Sequence, residues 1–237
     1  MAPMLAAYEL ALFELPSPPR NACEFLLTLP IELFGTTWLR WSVLGVCVLA
    51  ALYVTRRRGA SARWGVARIA LEGSIFAVLL GPLLVALGAL LERWLPSAHL
   101  TWTMPTDAPP LLPALLLWGG GAWEELFFRV GGYSIGYLLS LRTLTAFGVS
   151  EGLARAAAEV FALLGSSLCF AAFHLEACTG WIGAGGEAFD AGIFTWRALA
   201  GILLGLVFRL RGPGVAAWTH GLFNLALLVG AGPEVIL

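Results

Sequence analysis

The chain has 237 residues, of which 59% are hydrophobic and only 12% charged, and its mean hydropathy is +0.84. A soluble domain carries about 25% charged residues, so this composition points to a polytopic membrane protein. The formal net charge of -1 gives no footing for nucleic-acid binding or for electrostatic steering of an acidic partner.

The first stretch, "MAPMLAAYELALFELPSPPR", lacks the positive n-region and small-residue cleavage site of a signal peptide and is expected to belong to the mature protein. "CEFLLTLPIELFG" reads as an interfacial helix. Apolar runs of about 20 residues then predict six spans, roughly 39 to 55, 69 to 92, 111 to 130, 157 to 176, 192 to 210 and 214 to 232. Residues 131 to 140 read as an extension of the third. Prolines 96, 105, 109 and 110 mark the second loop, and Gly212-Pro213 makes a tight turn between the last two spans. The expected fold is an all-α, polytopic transmembrane helix bundle. Two spans lie in an N-terminal segment, 1 to 109, and the rest in a bundle formed by 110 to 237.

Arginine placement orients the bundle. All 14 basic residues are arginine, and most of them fall in or beside the connections after the first, third and fifth spans. Examples are Arg56, Arg57, Arg58, Arg63 and Arg68, then Arg142 and Arg155, then Arg209 and Arg211. By the positive-inside rule that side is cytoplasmic, so both termini are expected outside. Several of the ten tryptophans, such as Trp38, Trp41, Trp94 and Trp218, fall near span ends, as interfacial anchors do. The four cysteines (Cys23, Cys47, Cys169, Cys178) lack metal-site or redox spacing and read as packing residues. No internal repeat suggests an inverted-repeat transporter.

The third span ends in "WGGGAWEELFFR", residues 118 to 129. A charge in mid-span costs about 2.5 to 3.5 kcal/mol, so these three charged residues must face a polar interior or perform a function. Glu125 and Arg129 are at i and i+4, the acid first, and can form an intrahelical ion pair. Glu124 points about 100° away and keeps no partner on its own helix, as suits a general base or acid. Two further spans offer polar groups at depth. His174 closes "FAAFH", with Phe170 one turn before it, and His220 opens "HGLFN", with Asn224 one turn after it on the same face. His99 lies in a loop.

"EELFFR", "FAAFH" and "HGLFN" resemble the EExxxR, FxxxH and HxxxN motifs of the CPBP family. These are intramembrane proteases that include type II CAAX prenyl endopeptidases and bacteriocin-processing or immunity proteins. The resemblance covers about residues 110 to 232, in order, each motif on a span. It implies a metal-free, glutamate-dependent endopeptidase acting on a membrane-associated peptide or protein in the bilayer, with residues 110 to 237 as its catalytic bundle. By that resemblance Glu124 is the general base and His174 assists it in activating water. His220 with Asn224 stabilises the oxyanion, while Glu125, Arg129 and Phe170 support the site. A bacterial inner-membrane location is expected, and "GGEAFDAGIFTWRALAG" resembles the protein-sorting, myxosortase-like branch.

Other readings remain open on residues alone. Glu124, His174 and His220 are an acceptable zinc set with an open position for water, although an HExxH spacing is absent. A serine protease of the rhomboid kind would need a GxSG nucleophile, which "GSSL" does not supply, and an aspartyl type would need two membrane aspartates. A non-proteolytic binding or immunity protein, and a proton or ion carrier, are the non-protease alternatives.

Overall fold

Almost every described residue is helical, as an apolar chain must be when no water is at hand to satisfy its backbone N–H and C=O groups. The computed structural model describes residues 1–15, 20–34, 60–92, 111–182 and 186–228, together with isolated positions between 42 and 57. Most of the first expected span, 39 to 55, lies outside the described residues, as do the second loop with His99 and Asp107, and Cys47.

The helices are α1 (Ala2–Glu14), α2 (Ala22–Phe34), α3 (Ala60–Glu92), α4 (Leu111–Glu125), α5 (Ser134–Ala146), α6 (Glu151–Ala172), the single turn α7 (Glu176–Thr179), α8 (Ala191–Arg211) and α9 (Pro213–Leu228). A π-helix, Leu126–Tyr133, joins α4 to α5, so that residues 111 to 146 run as one helical rod, as the extension of the third span anticipated. α8 begins where the Asp190 carboxylate accepts the Ile193 N–H and ends at Gly212, whose φ of 87° is left-handed. Pro213 then opens α9 with its φ already suited to a first turn. Apart from one isolated bridge between Leu175 and Glu187, there is no β-structure among the described residues.

Among the described residues, three helices are long and apolar enough to cross a membrane: Gly65–Leu91, Glu151–Ala172 and Ala191–Arg211. Their outward faces carry large apolar side chains, among them Leu71, Val78, Val160, Phe161 and Leu168, each more than half exposed. Such surfaces suit lipid rather than water. The inward faces are small. On α6, Ala154, Ala158 and Ala162 recur at four-residue spacing and are buried. Gly136 of α5 packs on Ala162, and Gly201 of α8 packs on the Ser167 backbone. Close backbone approach of this kind is how membrane helices associate where lipid offers no hydrophobic driving force.

The glycine run before the two glutamates serves the same end on α4. A Cβ at Gly119 would lie 2.5 Å from Tyr8 Cβ and 2.6 Å from Met4 O, so α1 crosses α4 there. A Cβ at Gly121 would lie 2.9 Å from the Gly221 nitrogen, and one at Gly221 would lie 2.5 Å from Trp118 O, so α9 crosses α4 on another side. Both crossings fall within two turns of Glu124 and Glu125, and this closeness brings other helices into the site.

Candidate active site

Glu124 and Glu125 occupy the last turn of α4, where the helix widens into the π segment. π-Turns break the regular ladder and recur at functional sites. Glu125 and Arg129 are both fully buried. The carboxylate Oε2 and the guanidinium Nε are 3.6 Å apart, an ion contact longer than a hydrogen bond. Arg129 also donates Nη2–H to the Gly201 carbonyl of α8 at 3.0 Å, and its guanidinium lies 5.1 Å from the centre of the Phe170 ring. One arginine thereby ties α4 to both α6 and α8.

His220, on α9, meets both acids. Nδ1 is 3.0 Å from Glu125 Oε1, and Nε2 is 3.4 Å from Glu124 Oε2. A neutral imidazole has one N–H, so it donates to one carboxylate and turns a lone pair to the other; an imidazolium donates to both. His220 therefore bridges the two glutamates.

His174 follows the end of α6, and its tautomer follows from its neighbour. Nδ1 is 2.9 Å from the Phe170 carbonyl, which can only accept, so Nδ1 bears the hydrogen and Nε2 keeps its lone pair. The Phe170 ring packs edge-on against both histidines, with centroids 5.0 Å from His174 and 5.5 Å from His220. Phe170 thus supports three functional groups: through its ring both imidazoles and Arg129, and through its carbonyl the His174 tautomer as well.

A cavity of about 200 Å³ opens beside these groups, lined by Glu124 and His174 with Asn21, Arg20, Phe128, Phe173 and Thr179 among others. Its rim includes Gly186, part of a short strap, residues 186 and 187, that pairs with residues 174 to 176. The Glu187 N–H donates to the His174 carbonyl at 3.0 Å, and the Glu176 N–H donates to the Glu187 carbonyl at 3.0 Å. A Cβ at Gly186 would lie 2.4 Å from the Glu176 nitrogen, so only glycine lets the strap close. The Glu187 carboxylate pairs with Arg197 of α8, pinning the strap to the bundle.

The expected residues thus fall into three groups. Glu124 and His174 face the cavity. Glu125, Arg129, His220 and Phe170 form the buried support. Asn224 turns toward α4, where its Nδ2 donates to the Leu117 carbonyl at 3.4 Å, one turn along α9 from His220. As potential metal donors, His220 has both ring nitrogens facing carboxylates, so a metal would have to displace one of them. No group of three His, Cys, Asp or Glu side chains among the described residues is arranged to hold an ion.

Glu124 lacks a partner on its own helix, but it is not unpartnered. Asn21, just ahead of α2, donates Nδ2–H to Glu124 Oε1 at 2.7 Å. Asn21 is an N-cap candidate before the apolar run "ACEFLL", but a contact spanning 103 residues has no local signature. Of the cysteines, Cys23 is buried against Phe128 and Phe170, whereas Cys169 is exposed on α6, and both are free thiols.

No curated protein and no solved structure matches the chain. The sequence model of the family described as type II CAAX prenyl endopeptidase Rce1-like matches residues 106–226, just over half of the chain and all three motifs. The helices long enough to span a bilayer, and the acids and imidazoles buried among them, fit that match: the chain belongs to the Rce1-like family of membrane proteases.

Proposed function

We propose that this protein is a metal-free, glutamate-dependent intramembrane endopeptidase in which Glu124 activates water. The observation that carries the reading is the cavity itself, where a carboxylate and an imidazole with a free lone pair face one space, large enough to admit water, walled by Phe128 and Phe173. A water held between Glu124 and His174 Nε2 loses its proton to Glu124 as its oxygen attacks the scissile carbonyl. His220 carries an N–H to the same place, 3.4 Å from Glu124 Oε2, and with Asn224 stabilises the oxyanion. Glu124 then returns the proton to the leaving amine. Glu125 and Arg129 hold His220 and α8 in register and take no part in the bond changes.

The substrate is a peptide presented at the membrane, either a prenylated C-terminal tail or the C-terminal anchor of a sorted surface protein. The location is the bacterial inner membrane, with both termini outside. The test uses the full chain in liposomes with two internally quenched reporters. One is a farnesylated peptide with a Cys-aliphatic-aliphatic-X end, and the other is a peptide ending in an apolar helix followed by arginines. Wild-type cleavage of either reporter, lost in Glu124→Gln and retained after dialysis against a strong chelator, supports the proposal. Persistence of turnover in Glu124→Gln overturns the role of Glu124, and no cleavage of either reporter overturns the substrate class. Loss of turnover on chelation, restored by zinc, overturns the metal-free route.

A further inference from the structure

The family match begins at residue 106, yet the shortest hydrogen bond to the Glu124 carboxylate comes from residue 21. Asn21 sits at the start of α2 with every polar group engaged. Its Oδ1 accepts the Cys23 N–H at 2.9 Å and the Glu24 N–H at 3.4 Å, capping the helix. Its own backbone N–H donates to the Tyr8 hydroxyl at 2.7 Å. Tyr8 is buried in α1, and its ring meets the edge of Trp123, the residue before Glu124.

These contacts remove the ambiguity of the amide. Oxygen and nitrogen of an asparagine side chain are assigned from their partners, and here two backbone donors require oxygen on the α2 side. The NH₂ group must therefore face Glu124. With Oε1 engaged by Asn21 and Oε2 facing His220 Nε2, the carboxylate has one orientation, and its remaining lone pairs point into the cavity.

We infer that Asn21 is a positioning residue for Glu124, contributed by a part of the chain that carries no family motif. It fixes the rotamer of the base by donating to Oε1, and it is itself fixed by the α2 cap and by Tyr8. The inference rests on the reading of Glu124 as base. Its geometric content, a donor held against a carboxylate, can be read without substrate.

Two substitutions separate the cap from the donor. Serine and aspartate both cap helices about as well as asparagine. Asn21→Ser removes the NH₂ group, and Asn21→Asp sets a second carboxylate against the first. The full chain in liposomes is treated with dicyclohexylcarbodiimide, an apolar reagent for protonated carboxyl groups, and modification of Glu124 is followed by peptide mass across pH. In Asn21→Asp the midpoint of labelling should rise by about one pH unit or more, since two carboxylates at hydrogen-bond distance share a proton. The acid limb of the pH–rate profile on the reporter that is cleaved should move with it. In Asn21→Ser, kcat should fall about ten- to a hundredfold with little change in KM, the loss expected for one hydrogen bond to a charged group. Melting should stay close to wild type in both.

A wild-type labelling profile in Asn21→Asp together with wild-type kcat in Asn21→Ser would overturn the inference. So would losses of activity that only track a lowered melting temperature, which would make Asn21 a cap and nothing more. Activity in Glu124→Gln would instead overturn the base while leaving the labelling shift intact, so the two failures are distinguishable.

Discussion

Replacing Arg129 with methionine isolates its charge. Methionine keeps a long unbranched side chain in the space that Arg129 fills, so the void is small. What is lost is the contact with Glu125 at 3.6 Å, the hydrogen bond to Gly201 O and the stack on Phe170. Glu125 then remains fully buried with only His220 Nδ1 at 3.0 Å as partner. Removing one member of a buried pair costs about 3 to 5 kcal/mol because the other charge is left without compensation. For a chain of this size each kcal/mol moves the melting temperature by about 2 to 4 °C, so a drop of about 6 to 20 °C is expected. Tryptophan fluorescence in detergent reports it, with ten tryptophans as probes. The double variant Glu125→Gln/Arg129→Met removes both charges while keeping a carbonyl oxygen to face His220, and it should recover most of the loss. A single variant that melts within 2 °C of wild type (about 1 kcal/mol or less), or a double variant that melts below the single one, would refute the reasoning. Unchanged melting with lost turnover would make Arg129 a direct participant in the chemistry.

Gly119→Ala forces a methyl group against Tyr8 Cβ and Met4 O, at 2.5 and 2.6 Å in the present packing. It should destabilise by about 1 to 3 kcal/mol, measured by detergent melting, and should also lower turnover by shifting α1. Gly165→Ala, where a Cβ meets nothing within 4 Å, is the matched control and should be neutral or slightly stabilising. Asn224→Ala should cost on the order of a hundredfold in kcat, the usual loss for one oxyanion donor, with little change in melting. A loss of less than threefold, against that scale, would leave His220 as the sole donor of the pair.

Hydropathy and three short motifs make much of the bundle legible. Apolar runs mark α3, α6, α8 and α9 because a membrane span needs no particular pattern beyond length and apolarity. The spacing of Glu125 and Arg129 reads correctly as a pair even though the π-helix begins between them, since both still reach inward. What escapes is short or distant. α1 has only 13 residues and is interrupted by Glu9, so it falls below any span criterion, yet it packs on α4 at Gly119. The partner of Glu124 escapes for a related reason. Asn21 reaches it only because α1 and α2 dock on α4, and docking depends on side chains that are absent, those of the glycine run. The Glu187 strap is equally silent, because Glu187 and Arg197 look like loop and helix charges until the chain folds back to pair them.

The glycine run and the charged turn that follows it depend on each other. Glu124 and Glu125 stand side by side on one helix; His220 of α9 reaches both, closer to Glu125, and the shortest contact of Glu124 comes from another direction. α9 supplies His220 and the segment ahead of α2 supplies Asn21, both at hydrogen-bonding or near hydrogen-bonding distance. Bringing two elements that near to one helical turn requires that turn's approaches to be free of side chains. Gly119 and Gly121 meet that requirement, facing α1 and α9 respectively. In a medium where an unsatisfied charge costs several kcal/mol, a pair of adjacent glutamates without such approaches would have to be neutralised or expelled. "GGG" ahead of "EE" is thus a packing condition for keeping two acids at depth, and it makes α1 and Asn21 part of the site that the motifs of the second half begin.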